Sequence, residues 1–137
     1  MDTPERFEQL IAYLESNLPE PAEWHQHADG TLQFISGDPP GVIVWLTETS
    51  VVVSHFAVVG DTRIGLESKP RRVGLLKWRR LPETALFNTL SALLKGAREA
   101  RAALFQICEV CGRSTPPERL RMDTICDDCA EDELRIH

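Results

Sequence analysis

Val42-Ile-Val-Trp-Leu46, Thr47-Glu-Thr-Ser50 and Val51-Val-Val-Ser-His-Phe-Ala-Val-Val59 follow one another without a gap. Two apolar, β-branched runs separated by a short polar break predict neighbouring antiparallel strands. Neither run alternates cleanly between apolar and polar positions, as a strand with one wet face does. Cover on both faces is therefore expected, from helices at the ends of the chain or from a second copy of it.

Reading outward from this pair gives a meander. Upstream, Trp24 to His27 and Thr31 to Ile35 flank Ala28-Asp29-Gly30, and Asp-Gly between two such runs predicts a hairpin. Gly37-Asp-Pro-Pro-Gly41 is a loop. Downstream, Gly60-Asp61 is expected to turn into a strand from Thr62 to Leu66, with Arg72 to Trp78 as the last strand after Lys69-Pro70. Ahead of the meander, Thr3 and Pro4 suit the start of a helix. Its stripe is Phe7, Leu10, Ile11, Leu14 and Leu18, and Pro19 and Pro21 end it. Behind the meander, Leu81-Pro82-Glu83 opens a helix expected to run to about Ile107. Leu86, Leu90, Leu93, Ala97, Ala100, Leu104 and Ile107 keep an unbroken 4-3 spacing along it. Such a seam packs on the chain's own sheet or pairs with the same helix of a second copy, giving a homodimer.

The chain's only cysteines come next: Cys108-x2-Cys111, then Cys126-x2-Cys129 after fourteen residues. A Cys-x2-Cys pair brings two sulfurs to one ion from a single turn, and two pairs supply the four thiolates of a tetrahedral zinc site. Gly112 suits a tight knuckle, Arg119 to Met122 an arm of a short hairpin, and Cys126 to Leu134 a helix with Asp127 and Asp128 in its first turn. Knuckle, hairpin and helix make a treble-clef arrangement. Four cysteine ligands leave no open position for water, so one structural Zn2+ is expected rather than a catalytic one. Two disulfides or a redox pair compete with this reading, and a chain without a secretory signal favours zinc over them.

Cys108-Glu-Val-Cys-Gly-Arg-Ser114 and Ile125-Cys-Asp-Asp-Cys-Ala130 resemble the two halves of the zinc-binding module of ClpX-type unfoldases. The resemblance covers about the last thirty residues, with a shorter stretch between the halves than in that module. It implies zinc binding, dimerisation and the docking of protein partners. It does not imply unfoldase activity, since the chain holds no Gly-x4-Gly-Lys-Ser/Thr phosphate loop.

With 137 residues, 42% hydrophobic and 26% charged, the chain can bury a core. The expected fold is α+β: an antiparallel β meander flanked by N- and C-terminal helices (1–107), then a treble-clef zinc element (108–137). No stretch is apolar enough to span a membrane, and the acidic N-terminus is unlike a signal peptide, so a cytoplasmic protein is expected. Of the net charge of −6, residues 108–137 carry −4, before any thiolate is counted.

A second candidate site is basic: Lys69, Arg71, Arg72, Lys77, Arg79 and Arg80 lie between Glu67 and Glu83 with no acid among them. With Trp78 exposed on the same strand, they would track a phosphate backbone and stack a base. A solvated edge strand guarded by its charges is the plainer reading. His25 and His27 lack a third metal ligand nearby, and no nucleophile–base pair or phosphate loop is present. The expected function is a non-enzymatic zinc-binding interaction or adaptor module with a protein partner. The alternative is a nucleic-acid-binding regulator acting through residues 69–80.

Overall fold

The two apolar runs are neighbouring strands at the middle of one antiparallel sheet. A computed structural model describes residues 3–61, 65–121 and 124–136. Helix α1 (Thr3–Asn17) leads into strands β1 (Ala22–Gln26), β2 (Leu32–Ser36), β3 (Val42–Leu46), β4 (Val51–Asp61) and β5 (Gly65–Leu76). They pair in sequence order, β1-β2-β3-β4-β5. A 3-10 turn (Trp78–Arg80) then starts the return path into helix α2 (Glu83–Ala102). Residues 62–64, on which the expected start of a strand at Thr62 falls, lie outside the described residues, as does Met122.

Local chemistry explains the turns. Asp29 Oδ1 accepts the Thr31 N–H at 2.9 Å and Gly30 takes a φ of 91°, closing the expected β1–β2 hairpin. Between β3 and β4, Thr47 Oγ1 accepts the N–H groups of Thr49 and Ser50 at 3.2 and 3.0 Å.

Both helices lie on one face of the sheet. Leu10 and Leu14 of α1, Leu18 just past its end, and Leu86, Leu90, Leu94 and Ala97 of α2 share a single core with alternate strand residues. Those strand residues are Leu32 and Phe34, then Val42, Val44 and Leu46, then Val51 and Val53, and Leu76 of β5. Tyr13 meets Phe87 at 5.2 Å between ring centres, tying the helices together. Leu90→Ala is expected to cost about 3 kcal/mol, the usual loss for a buried leucine, in a denaturant titration. Within one chain the helices cover one face of the sheet only.

The expected pair of strands at 62–66 and 72–78 is one continuous edge strand, β5. Pro70 does not break it, because an edge strand has one row of N–H groups with no ladder partner. The strand carries a bulge: Val53 pairs with Gly74 but Ser54 pairs with Arg72, leaving Val73 as the extra residue. Gly74 faces α2 so closely that a Cβ there would sit 2.6 Å from Leu93 Cδ2. Gly74→Val should cost about 2 kcal/mol by overpacking, read as a lowered thermal midpoint.

Helix α2 stops at Ala102 rather than near Ile107. The Leu104 N–H turns back to Arg101 O and the Phe105 N–H to Ala102 O. From there the chain enters a small second layer: β6 (Gln106–Ile107) pairs with β7 (Ser114–Thr115), and a 3-10 turn (Pro117–Arg119) follows. Then β8 (Leu120–Arg121) pairs with β9 (Ile125–Cys126), and α3 (Asp127–Ile136) follows directly.

Candidate metal centre

Each cysteine is placed by its own element. Cys108 follows β6 and opens the knuckle, where the Gly112 N–H returns to Cys108 O at 2.9 Å. Gly112 holds a φ of 76°, a conformation in which a side chain would be strained. Cys126 is the last residue of β9, and Cys129 lies in the first turn of α3. Within the knuckle the Val110 N–H donates to Cys108 Sγ at 3.4 Å, and the Cys126 N–H joins the two halves by donating to the same sulfur at 3.4 Å.

All four sulfurs lie within 4.8 Å of one another, and no other such group of three or more ligands occurs among the described residues. Cys111 and Cys126 Sγ are 3.8 Å apart, and all four cysteines are free, so no disulfide is formed. A tetrahedron with zinc–sulfur bonds of about 2.3 Å has sulfur–sulfur edges of about 3.8 Å, so the donor set fits such an ion.

The thiols are not alike. N–H donors from Cys111, then Cys126, hold Cys108 down to about 6, and the Arg113 N–H lowers Cys111. The neighbouring Cys126 sulfur, and then burial, push Cys129 up. Near neutral pH Cys108 is thus a thiolate while Cys129 keeps its proton. Loading an ion must then expel at least the Cys129 proton. Apparent affinity should fall by about tenfold or more per unit of acidification, and calorimetry in buffers of different ionisation heat would show the released proton.

One joint that the sequence did not reveal fixes this element to the sheet. Arg101, in the last turn of α2, is buried where the seam spacing pointed to Ala100. Its Nη1 donates to Phe56 O at 3.1 Å and to Glu118 Oε1 at 2.9 Å, and its Nη2 donates to Glu118 Oε2. Phe56 belongs to β4 and Glu118 to the turn after β7, so one guanidinium ties sheet, helix and cysteine element together. Its stem crosses Gly41, where a Cβ would come within 3.1 Å of Arg101 Cγ. Counting 4-4-3-4 from Leu86 through Leu90, Leu94 and Ala97 lands on Arg101, a signal present in the sequence.

The other expected site residues separate. Leu86, Leu90 and Ala97 of the seam are in the chain's own core, and Leu93 packs against it. Ala100 and Leu104 are half-buried, Leu104 lies beyond the helix, and Ile107 stands in β6 at 63% exposed. The seven positions therefore do not form one helical seam. In the basic stretch the bulge changes the faces: Lys69 and Arg71 pair with Ala57 and His55, while Arg72, beside Ser54, points to the opposite side. Trp78 is not an exposed strand residue. It is 1% exposed, in the 3-10 turn, its Nε1–H donating to Thr47 O at 2.9 Å. It is closed to a stacking base. Lys69, Arg71, Arg72, Lys77, Arg79 and Arg80 remain exposed.

Asp127 and Asp128 are paired, with Arg121 at 3.0 Å and Arg113 at 3.4 Å. No helix among the described residues is long and apolar enough to cross a membrane. No family model matches the chain, and neither a curated protein nor a solved structure is significantly similar to it. The likeness of the tail to the ClpX-type module rests on its cysteine words alone.

Proposed function

We propose that the chain is a non-enzymatic zinc-binding protein-interaction module. The reading rests on the closed set of four cysteine sulfurs, which suits a structural ion. Cys108, Cys111, Cys126 and Cys129 would hold the zinc, which would fold residues 106–136 into a fixed shape. The Arg101–Glu118 joint then sets that shape against the sheet. Exposed Val110 and Ile107 beside the knuckle offer apolar anchor points to a protein partner. Metal analysis of the purified protein tests the first step: one zinc per chain is expected, and none, or iron instead, would end the reading.

The nucleic-acid alternative keeps one observation in its favour. Arg71, Arg72, Lys77, Arg79 and Arg80 are exposed, and none has an ion-pair partner among the described residues. Anisotropy with labelled duplex and single strands at low salt separates the readings. The interaction module predicts no binding. Binding that weakens steeply with salt and is lost in Arg79→Glu/Arg80→Glu would favour the alternative.

A further inference from the structure

The face of the sheet away from the helices has its own order. Strand alternation and the pairing register place two rows across it. One row runs Glu23, Ile35, Ile43, Ser54, Arg72 from β1 to β5, and the other His25, Gln33, Trp45, Val52, Leu75. Ile43 and Ser54 are already buried within the single chain, at 3% and 2% exposed, whereas Leu75 is 39% exposed. Ile35, Trp45 and Val52 are half-buried. The middle of this face is thus mostly apolar, and Ile35, Trp45 and Val52 stay partly open to solvent.

Its charges are at the edges and opposite in sign. Glu23 stands on the first edge strand and Arg72 on the last, both exposed and neither in an ion pair among the described residues. The middle strand of the five, β3, carries Ile43 and Trp45. The first row is therefore complementary to its own reverse. A two-fold axis along β3 sets each Glu23 against an Arg72 of the other copy and stacks Ile43 and Trp45 on their own counterparts. Face-to-face sheets pack about 10 Å apart with their strands within about 30°, which such an axis permits.

We infer that this sheet face is the homodimer interface of the protein, a second copy covering Ile35, Trp45, Val52 and Leu75 and pairing Glu23 with Arg72 across the axis. The same face on both partners is what two-fold symmetry demands of an interface. It also supplies the second cover that the consecutive apolar residues of β3 and β4 call for. The inference is independent of the metal and of what the cysteine element docks.

Sedimentation equilibrium of the zinc-loaded full chain tests it. A mass of two 15.4 kDa chains is expected for the parent. Trp45→Glu should give one chain with an unchanged circular dichroism spectrum. Should that variant fail to fold, the exposed charges still decide. Glu23→Arg or Arg72→Glu alone should raise the dimer dissociation constant by tenfold or more, and the double reversal should restore it. A parent that is monomeric at about 100 μM overturns the inference. So does a dimer indifferent to both charge reversals, or one dissociated only by Ile107→Glu or Val110→Glu.

Discussion

Cys126→Ser is expected to unfold residues 106–136 and leave the five-stranded sheet folded. Among the described residues the cysteine element has almost no apolar core of its own: its buried cluster is Cys108, Cys126 and Cys129 with Ile125 against them. Two pairs of two-residue strands do not stand alone in water. Binding of a structural zinc is worth on the order of 10 kcal/mol, and in so small an element nearly all of it is folding free energy. Removing one ligand should therefore scatter the backbone amide resonances of this segment into the unfolded range. The sheet has an independent source of stability in Leu10, Phe34, Val44, Leu90 and their neighbours. It should still melt as a unit, though at a lower temperature, because unfolding takes Glu118 away from Arg101. Removing the metal with a chelator should reproduce both effects. A variant whose amide spectrum stays dispersed throughout would show that the sulfurs hold nothing.

The second large effect belongs to that joint. Glu118→Ala should destabilise the zinc-loaded protein by about 3 kcal/mol, since it leaves a buried guanidinium without its counter-charge. The side chain of Arg101 is 6% exposed and that of Glu118 20%, so the burden falls unequally. Arg101→Met leaves a carboxylate that water reaches, and should cost less than Glu118→Ala. The double replacement Arg101→Met/Glu118→Leu should recover most of the loss, because well-packed apolar groups replace a buried ion pair at little or no cost. Urea unfolding of the four proteins gives the cycle directly. Equal costs for the two single changes, or a double variant as weak as their sum, would mean that the pair is not acting as a buried unit.

The metal site was legible because ligand chemistry constrains spacing: two Cys-x2-Cys words need no knowledge of the surrounding fold. Strands β2 to β4 and the hairpin at Asp29-Gly30 were legible because apolar runs and turn residues are local signals. The interrupted reading of β5 arose from Lys69-Pro70, which punctuates a strand only where the proline N–H would have been needed. One extra residue at Val73 then reversed the faces assigned beyond it, which no periodicity count sees in advance. Trp78 was misplaced for another reason: its strand ends two residues earlier, at Leu76, and a 3-10 turn carries the indole into the core. The 4-3 spacing of α2 was real but shared with a 4-4-3-4 stripe, and packing chose the stripe. Arg101 stayed hidden because a lone arginine on a helix reads as solvent-facing, and its partner arrives seventeen residues later, beyond the knuckle.

That guanidinium also has a mechanical meaning. Only residues 103–105 separate the end of α2 from β6, and the ionic tether sits beside this short covalent one. The exposed Arg119–Asp38 pair, 3.5 Å apart, adds a third and weaker attachment to the loop before β3. Helix α3, ten residues and about 15 Å long, packs on β8 and β9 within the small layer. A load applied to α3 passes to the sheet through these attachments, of which the buried Arg101–Glu118 pair is the strongest non-covalent one. Under tension it should open before either the sheet or the metal ligands give way.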